Sequence, residues 1–316
     1  MTTTPASSTL DTVLNGLLDR YRAHVPDVDA ILRAMAEEGM IGGPADVEND
    51  HIAFRTLGVP HLGIASLERV FLHCGYTPRD WFDFPAKKVT ARWYQPPAER
   101  HPRVFISQLR VHELSADAQA IIHRYTDRIV ADPVERLDLD DGEAVVRFLH
   151  EPLWPSPTWA EYERLRAESE FAAWVIYNRY YLNHFTVSVH GLLEPYDRLD
   201  RFNAFLESRG FTLNDAGGTI KTSADGKLLQ SSTVAAMVDA SFSDGRGGVE
   251  THRIPGSYVE FAERRVLDPF LGLPRNQLRR EHRREGFEAA SADKIFESTY
   301  TAQAGRTSGD SRGRLQ

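Results

Sequence analysis

Hydrophobic residues recur at helical spacing in the first forty positions of the chain. Between positions 10 and 21 they return every three or four residues, which predicts a helix with Ser8 or Thr9 at its N-cap. Pro26 interrupts the pattern and positions 27–40 resume it, which predicts a second helix. We interpret both helices as scaffold.

Two later stretches share one order of elements, in which a strand is followed by a helix and then by further strands. The first order is carried by "HIAFRTLG", "SLERVFLHCGY", "AKKVTARWYQPP" and "PRVFISQLRV". The second is carried by "HFTVSVHG", "PYDRLDRFNAFLESRGF", "TIKTS", "LLQSSTVAAMVDASF" and "GSYVEFAERR". A mostly helical stretch at 115–180 separates them. The sequence therefore predicts an α+β fold of two βαβββ-like modules that form an open barrel, with a site on its concave face.

These patterns predict a single domain over residues 9–303. Its parts are a first module at about 49–112, a helical insertion at about 113–182, a second module at about 183–265 and a C-terminal extension at about 266–303. The polar tails at 1–8 and 304–316 are predicted to be disordered.

Composition excludes several classes of protein. The formal charge of −8 and the pI of about 5.9 argue against a general nucleic-acid surface. The basic run in "RNQLRREHRRE" is interpreted as a solvated helix face rather than a specific anion site. With one cysteine, Cys74, the chain can form neither an internal disulfide nor a cysteine-rich zinc site.

The chain also lacks the sequence features of a membrane or secreted protein. It has no apolar run of the roughly 18–20 residues that span a bilayer. Its first residues lack the basic start and apolar core of a signal peptide. We therefore predict a cytoplasmic protein with no membrane partner, and composition leaves the oligomeric state open.

Strand alternation places one candidate metal ligand on the polar face of each of three strands. His51 shares a face with Arg55, while His184 and Glu260 lie on the corresponding faces of later strands. Two histidines and one carboxylate form the set that binds non-haem Fe(II) and leaves coordination positions open. His190 is six residues, or about 20 Å, beyond His184 along an extended strand, so the two cannot share a metal.

The residue types alone leave other interpretations open. Twelve histidines and 45 acidic residues allow many such triples, and a single histidine is often a hydrogen-bonded structural residue. Glu260 could instead pair with Arg264 or Arg92, and Arg55 could be a structural arginine paired with an acid.

Several stretches resemble the shorter members of the 2-oxoadipate dioxygenase/decarboxylase family, in the family's order. They are "NDHIAFRTLG", "GYTPRDWFDFPAKKVTARWY", "PRVFISQL", "NHFTVSVHGL", "GGTIKTSADGKLLQSSTVA", "PGSYVEFAER" and "GFEAASADKIFEST". The resemblance covers roughly residues 10–300. That family is similar in fold and metal site to the vicinal-oxygen-chelate enzymes, including 4-hydroxyphenylpyruvate dioxygenase and hydroxymandelate synthase.

The resemblance implies a role for each candidate residue. His51, His184 and Glu260 would bind Fe(II), with Glu263 as the second choice for the carboxylate, and Arg55 would bind a carboxylate of the substrate. The implied partners are a 2-oxo acid and O2, and the implied reaction converts 2-oxoadipate to 2-hydroxyglutarate with release of CO2. Other polar residues that could line the cavity, or form ordinary cross-strand hydrogen bonds, are Ser107, Lys221, Gln230 and Ser232.

Three alternatives remain at this level. The same chemistry could act on another 2-oxo acid. The same fold could also support an extradiol dioxygenase, or an isomerase that uses Ni or Zn. Finally, a binding protein could retain the fold without catalysis, although an open-sided Fe(II) site has no use in such a protein.

Overall fold

A computed structural model describes the chain from residue 5 to residue 306, with side chains from Thr9 onward. The helices are α1 (Pro5–His24), α2 (Pro26–Glu37), α3 (Ile64–His73), α4 (Ala116–Thr126), α5 (Gly142–His150), α6 (Trp159–Glu168), α7 (Glu170–Asn178), α8 (Leu199–Ser208), α9 (Ala289–Ile295) and α10 (Thr301–Ala304). The strands are β1 (Asn49–Leu57), β2 (Thr77–Phe84), β3 (Val89–Gln95), β4 (Arg103–Leu109), β5 (Leu182–Ser188), β6 (Lys221–Thr222), β7 (Leu228–Ser232), β8 (Met237–Ser243), β9 (Val249–Pro255) and β10 (Tyr258–Arg264).

The predicted tails fall mainly outside this range. Residues 1–4 and 307–316 lie outside the described part of the chain, so the expectation of disorder there stays a prediction. α1 begins at Pro5, inside the predicted N-terminal tail. Proline suits the first turn of a helix because the N–H it lacks would have no partner there.

Eight strands form one curled sheet that contains both modules. Its order is β2-β3-β4-β1-β5-β10-β7-β6, and β8 and β9 form a separate hairpin. The first module is β1-α3-β2-β3-β4, and the second is β5-α8-β6-β7-β10 with the hairpin inserted before β10. The α+β fold with two modules is thus confirmed.

The two modules are related by a pseudo-two-fold axis at the centre of the sheet. β1 pairs in parallel with β4, and β5 pairs in parallel with β10. β1 and β5 meet antiparallel, and Ile52 lies opposite Phe185. Ile52 directly follows His51, and Phe185 directly follows His184. The pairing of Ile52 with Phe185 therefore makes the two histidines equivalent positions of the two modules. The two histidines therefore flank this axis.

The central strands are buried on both faces. Every residue of β5 and β10 is buried, as is every residue of β1 after Asn49. The alternation in these strands predicted one apolar face, which packs against the core. The polar face is also covered, because rings from α7 and from residues 287–296 pack over it. Ligand side chains on that face are consequently shielded from bulk water.

The sequence interpretation missed β2 and placed a helix where the chain is irregular. β2 is an edge strand in which only Phe84 is buried, and it contains Pro78 and acidic residues, so its alternation is weak. The basic run forms short 3-10 turns, including Arg275–Gln277 and Arg280–His282, rather than a solvated helix. No helix in the described range is long and apolar enough to cross a membrane.

Candidate metal centre

Three buried side chains from the two modules converge at the centre of the sheet. His51 Nε2 lies 3.3 Å from His184 Nε2 and 3.5 Å from Glu260 Oε1. His184 Nε2 lies 3.0 Å from Glu260 Oε2. Each residue is at most 5% exposed. In the described part of the chain, this is the one group of three histidine, cysteine or acidic residues with the spacing of a metal site.

The residue before each histidine orients the imidazole ring. His51 Nδ1 lies 2.8 Å from Asp50 Oδ1, and His184 Nδ1 lies 3.1 Å from Asn183 Oδ1. Because these oxygens accept hydrogen bonds, each ring donates from Nδ1 and presents the lone pair of Nε2 to the centre. The polar residue in front of each histidine therefore selects the tautomer that binds a metal.

Asp50 is fixed in turn by two buried arginines. Arg264 donates from Nε and Nη2 to the two carboxylate oxygens at 2.6 and 2.9 Å, and Arg103 Nη1 donates to Oδ2 at 3.1 Å. Burial alone would raise the pKa of Asp50, but Arg264 and Arg103 outweigh it and hold that pKa well below its usual range. Asp50 thus remains an anion and fixes the ring of His51.

Glu260 is an ionised acceptor in the same way. Burial would raise its pKa, but His51 and His184 outweigh this and lower it. Gln230 Nε2 donates to Glu260 Oε1 at 2.7 Å, which holds the carboxylate in place. The alternative pairing of Glu260 with Arg264 or Arg92 is wrong, because Arg264 pairs with Asp50 and Arg92 with Glu68. Glu263 instead accepts from the backbone N–H of Leu199 at 2.7 Å.

The donor set fits a divalent metal ion. Two Nε2 lone pairs that face each other at 3.3 Å repel unless a proton or cation lies between them. A buried carboxylate beside them supplies one negative charge, and the Oε1 atom of Gln230 is buried without a partner. Imidazole and carboxylate ligands in this number suit iron, zinc and other first-row metals.

Aromatic rings close the site on its outer side. The ring of Phe287 packs edge-on against His51 with centroids 4.8 Å apart, and Phe105 lies 5.0 Å from Phe287. Gly286 has a φ of 76°, in the left-handed region that favours glycine, and this turn brings Phe287 over the site. The remaining cavity beside the three ligands is about 20 Å³, which holds about one water molecule.

Arg55 is a buried cation without an acidic partner among residues 5–306. Its Nη1 donates to Thr299 Oγ1 at 2.7 Å, and its Nη2 donates to the carbonyl of Phe296 at 2.9 Å. Its guanidinium lies 5.1 to 5.5 Å from the ring centres of Phe171, Trp174 and Phe296. The alternative that Arg55 pairs with an acid is therefore wrong for the described chain.

Unpaired polar atoms gather at this end of the site. Arg55 Nε and the hydroxyl of Tyr258 are both buried without a hydrogen-bond partner. Burial raises the pKa of Tyr258 and Arg55 opposes this shift, so the two groups lie within electrostatic reach. Tyr258 also packs against His184 with ring centroids 4.8 Å apart. Unpaired buried donors next to a metal site are typical of a pocket for an anionic ligand.

The other polar residues predicted to line the cavity have partners of their own, and their proposed role in substrate binding remains a prediction. Ser107 donates to the carbonyl of Phe54 at 3.0 Å, Lys221 donates to the carbonyl of Asn214 at 2.7 Å, and the hydroxyls of Ser232 and Ser298 lie 2.8 Å apart. Gln230 lines the cavity with the three ligands.

Sequence reasoning missed the residues that support the ligands. The signal for Asp50 and Asn183 was a polar residue directly before each histidine, which also fits an ordinary strand start. Phe287 carried no comparable signal, because its contact with His51 joins positions 236 residues apart.

Metal affinity should fall as the pH is lowered. Burial lowers the pKa of His51, but Glu260 and Asp50 outweigh it and raise that pKa above its usual 6.5. Burial lowers the pKa of His184, so this ring is already neutral, and Glu260 is already ionised. Below the pKa of His51, one proton competes with the metal, and the affinity should fall about tenfold per pH unit.

A competition titration of Co²⁺ against a chelator between pH 8 and 5.5 measures this dependence. We expect a slope of one proton per metal below the pKa of His51 and a flat region above it. Affinity that stays constant over the whole range, or falls with a slope of two, would contradict these charge states.

Comparison with known proteins gives a consistent set of similarities. The sequence profile of the family described as 2-oxoadipate dioxygenase/decarboxylase matches residues 13–270. The chain is 44% identical over 271 residues to the chloroplastic 2-oxoadipate dioxygenase/decarboxylase of Arabidopsis thaliana, which covers 82% of this chain and 70% of that protein.

Solved structures agree in fold. The crystal structure of hydroxyglutarate synthase from Oryza sativa in complex with 2-oxoadipate matches with a TM-score of 0.84 and 39% identity, covering 95% of both chains. A putative glyoxalase superfamily protein from Ralstonia eutropha JMP134 matches with a TM-score of 0.65 and 22% identity, covering 86% of this chain and 83% of that one. The second match indicates the fold alone.

Proposed function

The chain belongs to the 2-oxoadipate dioxygenase/decarboxylase family, and on that premise we propose that it uses Fe(II) and O2 to convert 2-oxoadipate to 2-hydroxyglutarate and CO2. The substrate has six carbons, and the product retains five of them. One oxygen atom of O2 enters the hydroxyl group and the other enters the carboxylate formed from the keto carbon, while the original carboxylate next to it leaves as CO2. The protein is accordingly an enzyme of the dioxygenase/decarboxylase class.

One observation supports this function most directly. A buried His51/His184/Glu260 group lies in the same covered face as Arg55, a buried cation without an acidic partner in the described chain. A dicarboxylic 2-oxo acid matches both features, since one end chelates a metal and the other end carries a negative charge. The rice relative, which covers the chain at 39% identity, was crystallised with 2-oxoadipate.

His51, His184 and Glu260 would hold the iron, which supplies the redox chemistry with O2 when it is bound. Asp50 and Asn183 keep both imidazoles in the ligating tautomer, and no side chain has to accept a proton. We propose Fe(II) rather than another first-row metal, because a dioxygenase reaction uses O2.

Arg55 would bind the distal carboxylate of the substrate. Its unused Nε–H and the hydroxyl of Tyr258 are two donors that need an acceptor inside the protein. An arginine fork can give a carboxylate two parallel hydrogen bonds. Such a pair would make the site selective for the length of the substrate and for its negative charge. We retain Gln230, Ser107, Lys221 and Ser232 as proposed residues of the substrate cavity.

Substrate entry requires the aromatic cover to move. The cavity of about 20 Å³ is far below the roughly 300 Å³ of a pocket that encloses a small molecule. The wall that contains Phe287, Ala292, Ile295 and Phe296 comes from the C-terminal segment, which Arg55 also holds through hydrogen bonds to Phe296 and Thr299. We propose that this segment opens for the substrate and then excludes water from it.

The decisive experiment measures O2 consumption by the protein reconstituted anaerobically with Fe(II). 2-Oxoadipate is tested beside 2-oxoglutarate and 2-oxohexanoate, and products are identified by mass spectrometry. We expect O2 uptake, release of one CO2 and formation of 2-hydroxyglutarate, all lost in His184→Ala. O2 uptake with a different 2-oxo acid alone would keep the chemistry and change the substrate.

Absence of O2 uptake with every 2-oxo acid, despite stoichiometric Fe(II), would reject the proposal and favour an isomerase or a ring-cleaving enzyme. Retention of substrate binding without turnover in the iron-loaded protein would instead favour a binding protein. We also propose a cytoplasmic location, while the Arabidopsis relative is described as chloroplastic. Fractionation of cells that express the natural protein tests this.

A further inference from the structure

A second concave surface lies apart from the metal centre, where β10 ends and the arginine-rich segment crosses the sheet. This pocket has a volume of about 430 Å³ and is lined by seven arginines but only two glutamates. We call it the arginine pocket, and its lining includes Arg280, Arg283 and His190. The reaction proposed above makes no use of it.

Some of these arginines are neutralised inside the protein. Arg103 and Arg264 bind Asp50, and Arg275 lies 2.9 Å from Asp197. Because these arginines are already paired with aspartates, we assign them a structural role in the wall of the pocket.

Two of the lining arginines, Arg280 and Arg283, carry charge without a close acidic partner in the described part of the chain. Within the described range, Arg283 has no carboxylate within 4.0 Å, and the nearest carboxylate oxygen to Arg280 is that of Glu285, at 3.8 Å. That oxygen already accepts a hydrogen bond from Arg103 at 2.8 Å. The guanidinium groups of Arg280 and Arg283 thus donate no hydrogen bond to a carboxylate of the described chain.

Arg280 is held in place with one end unused. Its Nη1 donates to the carbonyls of Glu99 and His101 at 3.1 and 2.8 Å, while Nη2 is buried without a partner. Its side chain is only 14% exposed. Burial and, next, the charge of Arg103 lower its pKa to about 10. A fixed guanidinium with an unused buried donor is a preformed anion ligand.

Two further donors face the same pocket. Arg283 is anchored through Nη1 to the carbonyl of Arg264 at 2.8 Å, and its other nitrogens have no partner among residues 5–306. His190 accepts a hydrogen bond at Nδ1 from the backbone N–H of Arg264, so its neutral ring carries the proton on Nε2. Arg280, Arg283 and His190 thus all line this pocket and each has a donor without a partner in the described chain.

We propose that the arginine pocket binds a phosphate-class oxyanion, either inorganic phosphate or the phosphate group of a small ester. Guanidinium groups match pairs of phosphate oxygens, and several of them compensate a dianion. The pocket has one large apolar side chain, Leu278, so it offers little surface for a carbon chain. A compact, highly charged anion therefore fits better than a long dicarboxylate.

The test is calorimetric titration of inorganic phosphate into the full-length, metal-loaded protein at constant ionic strength. We expect saturable binding that weakens at least about tenfold in Arg280→Gln and in Arg283→Gln. The matched control is Arg246→Gln, an exposed arginine in the β8–β9 turn, which should bind phosphate like the unaltered protein. Neither test residue contacts the proposed iron ligands, so phosphate held by the metal would survive both substitutions.

Titrations with other anions show which class of anion the arginine pocket binds. Glycerol 3-phosphate that binds more tightly than inorganic phosphate identifies an ester as the source, and the reverse identifies the free ion. Tighter binding of adipate than of either, if it weakens in Arg280→Gln, would overturn the proposal in favour of a dicarboxylate, since adipate held at Arg55 does not depend on Arg280. If Arg283→Gln does not fold, Arg283→Lys keeps the charge but loses the fork and should bind phosphate more weakly. Absence of binding, or equal binding by all variants, would also overturn the proposal, whatever the activity with 2-oxoadipate.

Discussion

Glu260→Gln should lose metal binding and turnover while it keeps the fold. Glutamine has the same shape as glutamate but lacks the charge that faces two imidazoles at 3.0 and 3.5 Å. Loss of one partner of a buried charged group costs about 3–5 kcal/mol, which corresponds to a roughly hundred- to several-thousand-fold weaker metal complex. Metal content after gel filtration and the rate of O2 uptake measure the effect.

The matched control is Glu263→Gln on the same strand. Glu263 is also buried but lies on the other face, where it accepts hydrogen bonds from Leu199 and Arg265. We expect this variant to bind metal normally. If Glu263→Gln loses the metal while Glu260→Gln retains it, the carboxylate ligand has been assigned to the wrong residue.

Glu260→Gln should also change the pH dependence of any residual metal binding. The charge of Glu260 is the largest influence that raises the pKa of His51. Without it, the pKa of His51 should fall, and competition from protons should begin at lower pH than in the unaltered protein. A Co²⁺ titration at several pH values follows this shift, and an unchanged profile would contradict the coupling.

Arg55→Met should impair recognition of 2-oxoadipate without destabilising the protein. Truncation of a buried charged hydrogen-bond partner costs about 2–5 kcal/mol of binding, so kcat/KM should fall roughly 30- to several-thousand-fold, mainly through KM. Stability should change little, because removal of a buried cation without an acidic partner in the described chain offsets the loss of its hydrogen bonds to Phe296 and Thr299. Steady-state kinetics and the thermal unfolding midpoint measure both effects.

Two controls separate a functional role of Arg55 from a structural one. Arg103→Met removes an equally buried arginine that pairs with Asp50, and it should lower the unfolding midpoint. 2-Oxohexanoate has a methyl group where 2-oxoadipate has its distal carboxylate. The unaltered enzyme and Arg55→Met should therefore use it with similar kcat/KM. Equal losses with both substrates would show that Arg55 does not recognise that carboxylate.

The sequence predicts the strands that carry the site better than it predicts what surrounds them. Alternation in β1, β5 and β10 is strong because one face packs in the core, and it correctly placed His51, His184 and Glu260 on the other face. The likeness to a known family then selected this triple from many others. Without that likeness, twelve histidines and 45 acidic residues would have left the choice open.

Residues that depend on distant contacts could not be predicted in this way. The partner of Asp50 is Arg264, 214 residues away, and their ion pair follows from the order of strands in the sheet. The cover formed by Phe287 depends on where an irregular segment crosses the sheet, and neither period nor propensity determines that path. The arginine run was misread for the same reason, because its spacing resembles an exposed helix.

The register of the sheet relates the carboxylate ligand to an aromatic residue in the other module. His51 lies opposite Arg103 in the first module, and His184 lies opposite Tyr258 in the second. Two positions further along, Phe105 in β4 therefore occupies the place that Glu260 occupies in β10. Both lie in the wall of the cavity beside the histidines.

This mismatch explains how a nearly symmetric scaffold holds an asymmetric centre. Two equal copies of the module would supply two histidines and two carboxylates as possible ligands. Phe105 stands in place of the second carboxylate, so this side of the cavity has a hydrocarbon ring and no metal ligand. A metal held by His51, His184 and Glu260 would therefore keep open coordination positions for reactants on the side that Phe105 lines.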